Sequence, residues 1–161
     1  MIRNKISSDV EALKELKKTY KWIPDENQIR PSLEVIEEKR KLSEWVFKNY
    51  FSFRDFILDS LFDYATEKQD GLAYVPRVSR CEWTFCKSQF PYALEPDVKH
   101  YILWNSLYNY NMEFEDSKIN ALIEETLTQL VGSDAFDFAW YKNPKPSIPE
   151  LWHCQVFWIR T

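Results

Sequence analysis

The apolar residues of this chain change their period near residue 65, and no other feature constrains the fold as strongly. Before Tyr64 they recur every three to four positions, as on one face of a helix. From Cys81 onward, short segments alternate apolar and polar at every second position, as half-buried strands do. Helices first and strands later predict an α+β fold: N-terminal helices packed on a small, mostly antiparallel sheet with one crossing helix. The organisation expected is a single domain over residues 1–161, with a helical layer at 8–65, a linker loop at 66–80 and a strand–helix–strand unit at 81–161.

Local signals place the elements. Ser8 and Glu11 form a capping-box pattern, and Val10, Leu13, Leu16 and Tyr20 follow at helical spacing. A second helix starts near Pro31 and Ser32, and Ser52 with Asp55 makes another capping box for a third. Residues 65–80 contain Gly71 and Pro76 and read as a loop, with a short strand at 72–75. Strands are predicted over 81–86, 98–104, 136–141 and 152–159. Between the second and third, Asp116 or Ser117 caps a helix whose stripe includes Ile119, Ile123 and Leu127, with Gly132 at its left-handed end. The helical layer and this helix are expected on the same face of the sheet.

Composition narrows the function classes. The formal charge is −4, which gives no global attraction for duplex DNA or an anionic membrane, although a local basic patch is compatible with it. No apolar run approaches the ~18–20 residues of a membrane span, and no signal peptide is visible at the start of the sequence. Three cysteines suit free thiols in a reducing, intracellular, cytoplasmic setting. Walker, GxGxxG and His-Glu-x-x-His motifs are absent, and no cofactor or metal is expected. A zinc site from Cys81, Cys86, His153 and Cys154 is disfavoured, because on one strand Cys81 and Cys86 point to opposite faces.

Aromatic residues make up 17% of the chain and crowd around its two histidines. His100 and His153 each begin a predicted strand, and each follows a proline-containing loop. Rigid loops beside strand starts are places where a scaffold presents functional side chains. Strand alternation puts His153, Gln155, Phe157 and Ile159 on one face and Trp152, Cys154, Val156 and Trp158 on the other. The candidate site therefore combines His153 as a tentative nucleophile with His100, Asn143, Ser147, Gln155 and Trp140 as ligand contacts. A second reading is a non-enzymatic interaction module of a larger assembly. In that case the aromatic loop at 105–114 meets a protein partner through Tyr108, Tyr110 and Met112.

Two resemblances bear on these readings. Glu82-Trp83, Phe90-Pro91-Tyr92, His100 with Ile102-Leu103-Trp104, Trp140 with Asn143-Pro144, and Ser147-Ile148-Pro149 with His153 and Val156-Phe157 resemble an uncharacterised family over residues 82–160. That family includes fungal N-acetylglucosamine-induced proteins and members from large DNA viruses. The order of loop, strand, crossing helix and last strand is also similar to the histidine-triad superfamily of nucleotide hydrolases and transferases. That similarity implies His153 in the nucleophilic place, Gln155 in the third histidine's place, and Asn143 and Ser147 in a phosphate loop. Leu151 stands where the first histidine would be, and prolines replace the loop glycines, removing N–H donors. The expectation is a small-ligand binding protein that recognises a nucleotide or phosphorylated molecule, with catalysis left open.

Overall fold

The computed structural model describes residues 31–92, 97–143 and 145–161, with the backbone of Asn4 and Lys5. The helix expected after Ser8 lies outside the described residues.

Helix α1 (Leu33–Asn49) starts where Ser32 Oγ accepts the Val35 N–H at 3.3 Å. The chain turns at Tyr50, and α2 (Phe53–Phe62) begins at Ser52, whose Oγ accepts the Asp55 N–H at 3.1 Å. Asp55 does not complete a reciprocal capping box. Its carboxylate accepts the Ser52 hydroxyl at 2.6 Å and reaches out to the Val75 N–H at 2.8 Å. The cap thus ties the helix to the segment that follows.

That segment is more ordered than a linker. β2 (Glu67–Gln69) and β3 (Leu72–Tyr74) form an antiparallel hairpin across Asp70 and Gly71. Both turn residues have positive φ, 54° and 80°, as a two-residue turn matched to strand twist requires.

The main sheet runs β1–β6–β7–β5–β4 in spatial order, and every neighbouring pair is antiparallel. Its strands are β1 (Asn4–Lys5), β4 (Trp83–Lys87), β5 (Lys99–Asn105), β6 (Phe136–Tyr141) and β7 (His153–Arg160). α3 (Asp116–Val131) joins β5 to β6 and ends on Gly132, at φ 83°. The predicted Asp116 or Ser117 cap is displaced: Glu115 holds the cap position and makes no side-chain cap bond. These elements establish the α+β class, with β7 as a central strand between β5 and β6.

Strand alternation divides the core. One cluster joins Leu103, Phe138, Trp140, Cys154, Val156 and Trp158 to Ile119, Ile123 and Leu127 of α3. The other joins Trp104 and partly buried Ile102 to Ile57, Leu58 and Phe62 of α2, with Leu151. The expectation that α3 shares a face with the helical layer is therefore corrected: α2 and α3 cover opposite faces. β5 and β6 are both antiparallel to β7 and hence parallel to each other, so α3 is a crossover that passes over β7 on one side. The sheet's other side is left for α2.

Candidate functional site

The α2 face of the sheet carries a polar row through its apolar lining. His153, Gln155 and Phe157 follow one another on this face of β7. In the β5–β7 register His153 lies opposite Trp104, and His100 lies opposite Phe157. The two imidazoles are thus four residues apart along the strands, about 13 Å by strand rise, and do not meet. Gln155 stands between them.

Each histidine is fixed differently. The His100 ring lies against Tyr92 and Phe157, both with centroids at 4.8 Å. Its Nδ1 accepts the Tyr92 N–H at 3.2 Å, and its Nε2 is 2.5 Å from Gln155 Oε1. Both nitrogens are engaged and the residue is 4% exposed, so His100 is not an open ligand contact. His153 stacks on Trp104 at 4.4 Å, with the Tyr110 ring at 5.1 Å. Its Nδ1 is 2.9 Å from the Leu151 carbonyl oxygen. A carbonyl only accepts, so Nδ1 carries the hydrogen and Nε2 carries the lone pair. Nε2 has no hydrogen-bond partner among the described residues.

Burial sets the protonation of both rings. It pushes the His100 pKa down to about 4, against the opposing hydrogen bond to Gln155. Burial also pushes His153 down to about 4, with the positive charges of Lys142 and Lys39 adding to the effect and the bond to Leu151 opposing it. Both imidazoles are neutral at pH 7.

The two lysines give the site its charge. Lys39, on α1, donates to Ser147 Oγ at 3.2 Å, and desolvation lowers its pKa. Lys142 donates to the Tyr110 carbonyl at 2.5 Å and lies over the Tyr110 ring at 4.4 Å. The Tyr110 hydroxyl donates to the Asn143 carbonyl at 2.6 Å, while Asn143 Oδ1 accepts the Lys145 N–H at 2.9 Å. Asn143 therefore shapes the proline loop through its own backbone and side chain. Pro144 and residues 93–96, which belong to the two proline loops, lie outside the described residues.

Of the predicted residues, the structure brings His153, Gln155 and Ser147 toward one region and holds Asn143 at its edge. Trp140 is elsewhere. It points to the α3 face, is 3% exposed, and donates its indole N–H to Asn120 Oδ1 at 2.7 Å. Alternation along β6 requires this, since Trp140 pairs with Val156 and Tyr141 pairs with Gln155. The expected partner loop is also turned inward in part. Met112 packs on the α3 core and Tyr110 lies against His153, while Leu107 and Tyr108 remain at the surface. Lys39 and Lys142 were missed by sequence reasoning. Nothing local marks Lys39, whose partner is 108 positions away. Among the described residues no group of three or more His, Cys, Asp or Glu side chains could hold a metal ion. Cys86 and Cys154 belong to opposite core clusters.

A family model described as "Protein of unknown function (DUF3605)" matches residues 26–158. The chain belongs to this family. Its match takes in α1 to α3 and β2 to β6 whole, and β7 as far as Trp158, hence every residue of the polar row. No curated protein matches the chain. Among solved structures, the crystal structure of HTC1 is similar with a TM-score of 0.57 and 16% sequence identity, covering 94% of this chain and 85% of that one. At that identity the likeness concerns the fold alone. No helix among the described residues is long and apolar enough to cross a membrane.

Proposed function

We propose that this protein binds a small phosphorylated ligand, of nucleotide or sugar-phosphate type, at the His153 end of the polar row, with Gln155, Ser147 and Lys39 as its contacts. One observation carries the reading. A neutral imidazole that is 5% exposed keeps an unpartnered Nε2, and two ammonium groups lie close enough to depress its pKa. Trp104 and Tyr110 hold the His153 ring between them and fix the direction of its Nε2 lone pair.

The arrangement also supports the histidine-triad likeness at the level of one residue. A histidine with Nδ1 pinned to a backbone carbonyl keeps its lone pair on Nε2, as a nucleophile toward phosphorus or a proton acceptor must. The reading extends to an intracellular protein, which the free thiols of Cys81, Cys86 and Cys154 suit, and to relatives among fungal N-acetylglucosamine-induced and large-DNA-virus proteins.

Adenosine 5′-monophosphate tests the proposal. It is expected to raise the melting temperature of the wild type and to leave His153→Ala unmoved. A phosphate dianion beside Nε2 favours the protonated ring, so binding should take up a proton and strengthen as pH falls from 8 toward 6. Equal shifts in wild type and variant would remove His153 from the site.

A second reading rests on a different surface. Trp45, Phe47 and Phe51, at 49%, 59% and 46% exposure, stand on or next to α1, and Leu107 with Tyr108 adds a further exposed pair. Exposed rings of this size suit a non-enzymatic interaction module. Loss of co-purifying protein in Phe47→Ala with Tyr108→Ala, at unchanged melting temperature, would favour it.

A further inference from the structure

The side-chain amide of Gln155 can sit in two orientations that share a shape and have opposite chemistry, and its neighbours decide between them. The Tyr92 backbone N–H can only donate, and it lies 3.2 Å from His100 Nδ1. Nδ1 is therefore the acceptor, and the neutral ring carries its hydrogen on Nε2. That nitrogen is 2.5 Å from the Gln155 side chain, which must offer its oxygen there. The NH2 group is then turned away from His100.

The position of that NH2 group matters. Gln155 is 8% exposed, and its amide nitrogen has no hydrogen-bond partner among the described residues. Unlike the indole N–H groups of Trp152 and Trp158, which are sealed from solvent without a partner, neither this nitrogen nor His153 Nε2 is occluded. Both belong to residues more than nine-tenths buried on the same face of β7, two positions apart, or about 7 Å by strand rise.

We propose that His100 is a positioning residue: by holding Gln155 Oε1, it presents the Gln155 NH2 donor beside the His153 Nε2 acceptor and makes the proposed site selective for oxyanions. This rests on the ligand reading given above and sharpens it. A phosphoryl group offers several acceptor oxygens to the amide and to Lys39, and it shares with Nε2 the one proton that binding takes up. A cationic ligand offers neither. With the amide reversed, its oxygen would face the ligand and repel it. The backbone N–H of Tyr92, separated from the ligand by two residues, thus sets the sign of the site.

Nitrogen-15 spectra of the full chain at pH 7 test the inference. The free protein is expected to show His100 as the Nε2–H tautomer, His153 as the Nδ1–H tautomer, and the Gln155 amide protons as a resolved pair. Adding adenosine 5′-monophosphate should move the Gln155 amide and His153 Nε2 signals while leaving the His100 tautomer unchanged. In His100→Leu the Gln155 pair should broaden or merge, and affinity should fall about tenfold, as for one lost hydrogen-bonded orientation. His100→Gln can accept from Tyr92 and donate to Gln155, and it should restore most of that loss. Gln155→Glu keeps the bond to His100 and should abolish binding.

An Nδ1–H tautomer at His100 overturns the inference, and this is read on the wild type even if His100→Leu fails to fold. A Gln155 amide pair unchanged in His100→Leu also overturns it. Correct tautomers with no response to the nucleotide would leave the positioning intact and remove the ligand reading. Nucleotide binding that depends on His153, beside an Nδ1–H His100, would do the reverse.

Discussion

The two faces of the central sheet are made by the same strands and differ in what they bury. On the α3 face, Leu103, Phe138, Trp140, Val156 and Trp158 meet Ile119, Ile123 and Leu127 in nearly continuous hydrocarbon. Cys154 is fully buried there, and burial pushes its thiol pKa well up, so it behaves as a small hydrophobe. The α2 face packs in the same manner around Ile57, Leu58, Phe62 and Trp104. The same face also holds His100, Gln155 and His153, all more than nine-tenths buried. Burying such groups opposes folding unless each is paired, and a fully paired network rigidifies what it contains. Here the row is paired from the Tyr92 amide as far as Gln155 Oε1 and then left open at His153 Nε2. One face supplies stability. The other gives up some of it to hold a donor and an acceptor in place.

Substitutions on the dry face should show the largest effects. Ile123, 0% exposed, touches that cluster only, and Ile123→Ala should cost about 2–5 kcal/mol in denaturant unfolding. The nucleotide response at the remaining folded protein should be unchanged. A loss below about 1 kcal/mol would mean that α3 is not the main clamp on the sheet.

Acid should expose the other face. Both imidazoles titrate near 4 in the folded chain, against an ordinary value of 6.5. Between those values the unfolded chain binds more protons, so stability is full above pH 6.5 and falls as pH drops toward 4. The loss is on the order of 3 kcal/mol for each ring. His100→Gln, which cannot protonate, should remove about half of the slope in that window. An unchanged slope in this variant would show that His100 is not a buried neutral base.

Much of the fold was legible because it rests on local chemistry. Alternation located β6 at Phe136–Tyr141, and a glycine in the left-handed region closed α3 at Gly132. The Asp70-Gly71 pair is a local hairpin signal, but β2 is short and fully exposed and carries no apolar alternation to support it. The placement of α3 was not legible: its stripe shows that it covers a sheet face, and only the insertion of β7 between β5 and β6 decides which one.

The candidate site divides along the same line. Alternation correctly put His153 and Gln155 on one face of β7. It could not bring His100 to the right place, because sliding β5 by two residues preserves every inside-outside assignment and changes every neighbour. The observed register makes His100 the partner of Gln155 rather than of His153. Trp140 is near the proline loop in sequence, but its parity on β6 turns it to the α3 face. Lys39 carried no signal at all, because only the packing of α1 against the proline loop delivers its ammonium to Ser147.

The central claim is that the open end of this polar row receives a phosphoryl group. A nitrogen-15 titration of the wild-type chain with adenosine 5′-monophosphate tests it most directly. Progressive, saturable movement of the His153 Nε2 resonance, with the Trp140 and Trp158 indole signals of the α3 face fixed, is the result expected. Saturation reported only by those indoles, or a His153 resonance that never moves, would contradict it.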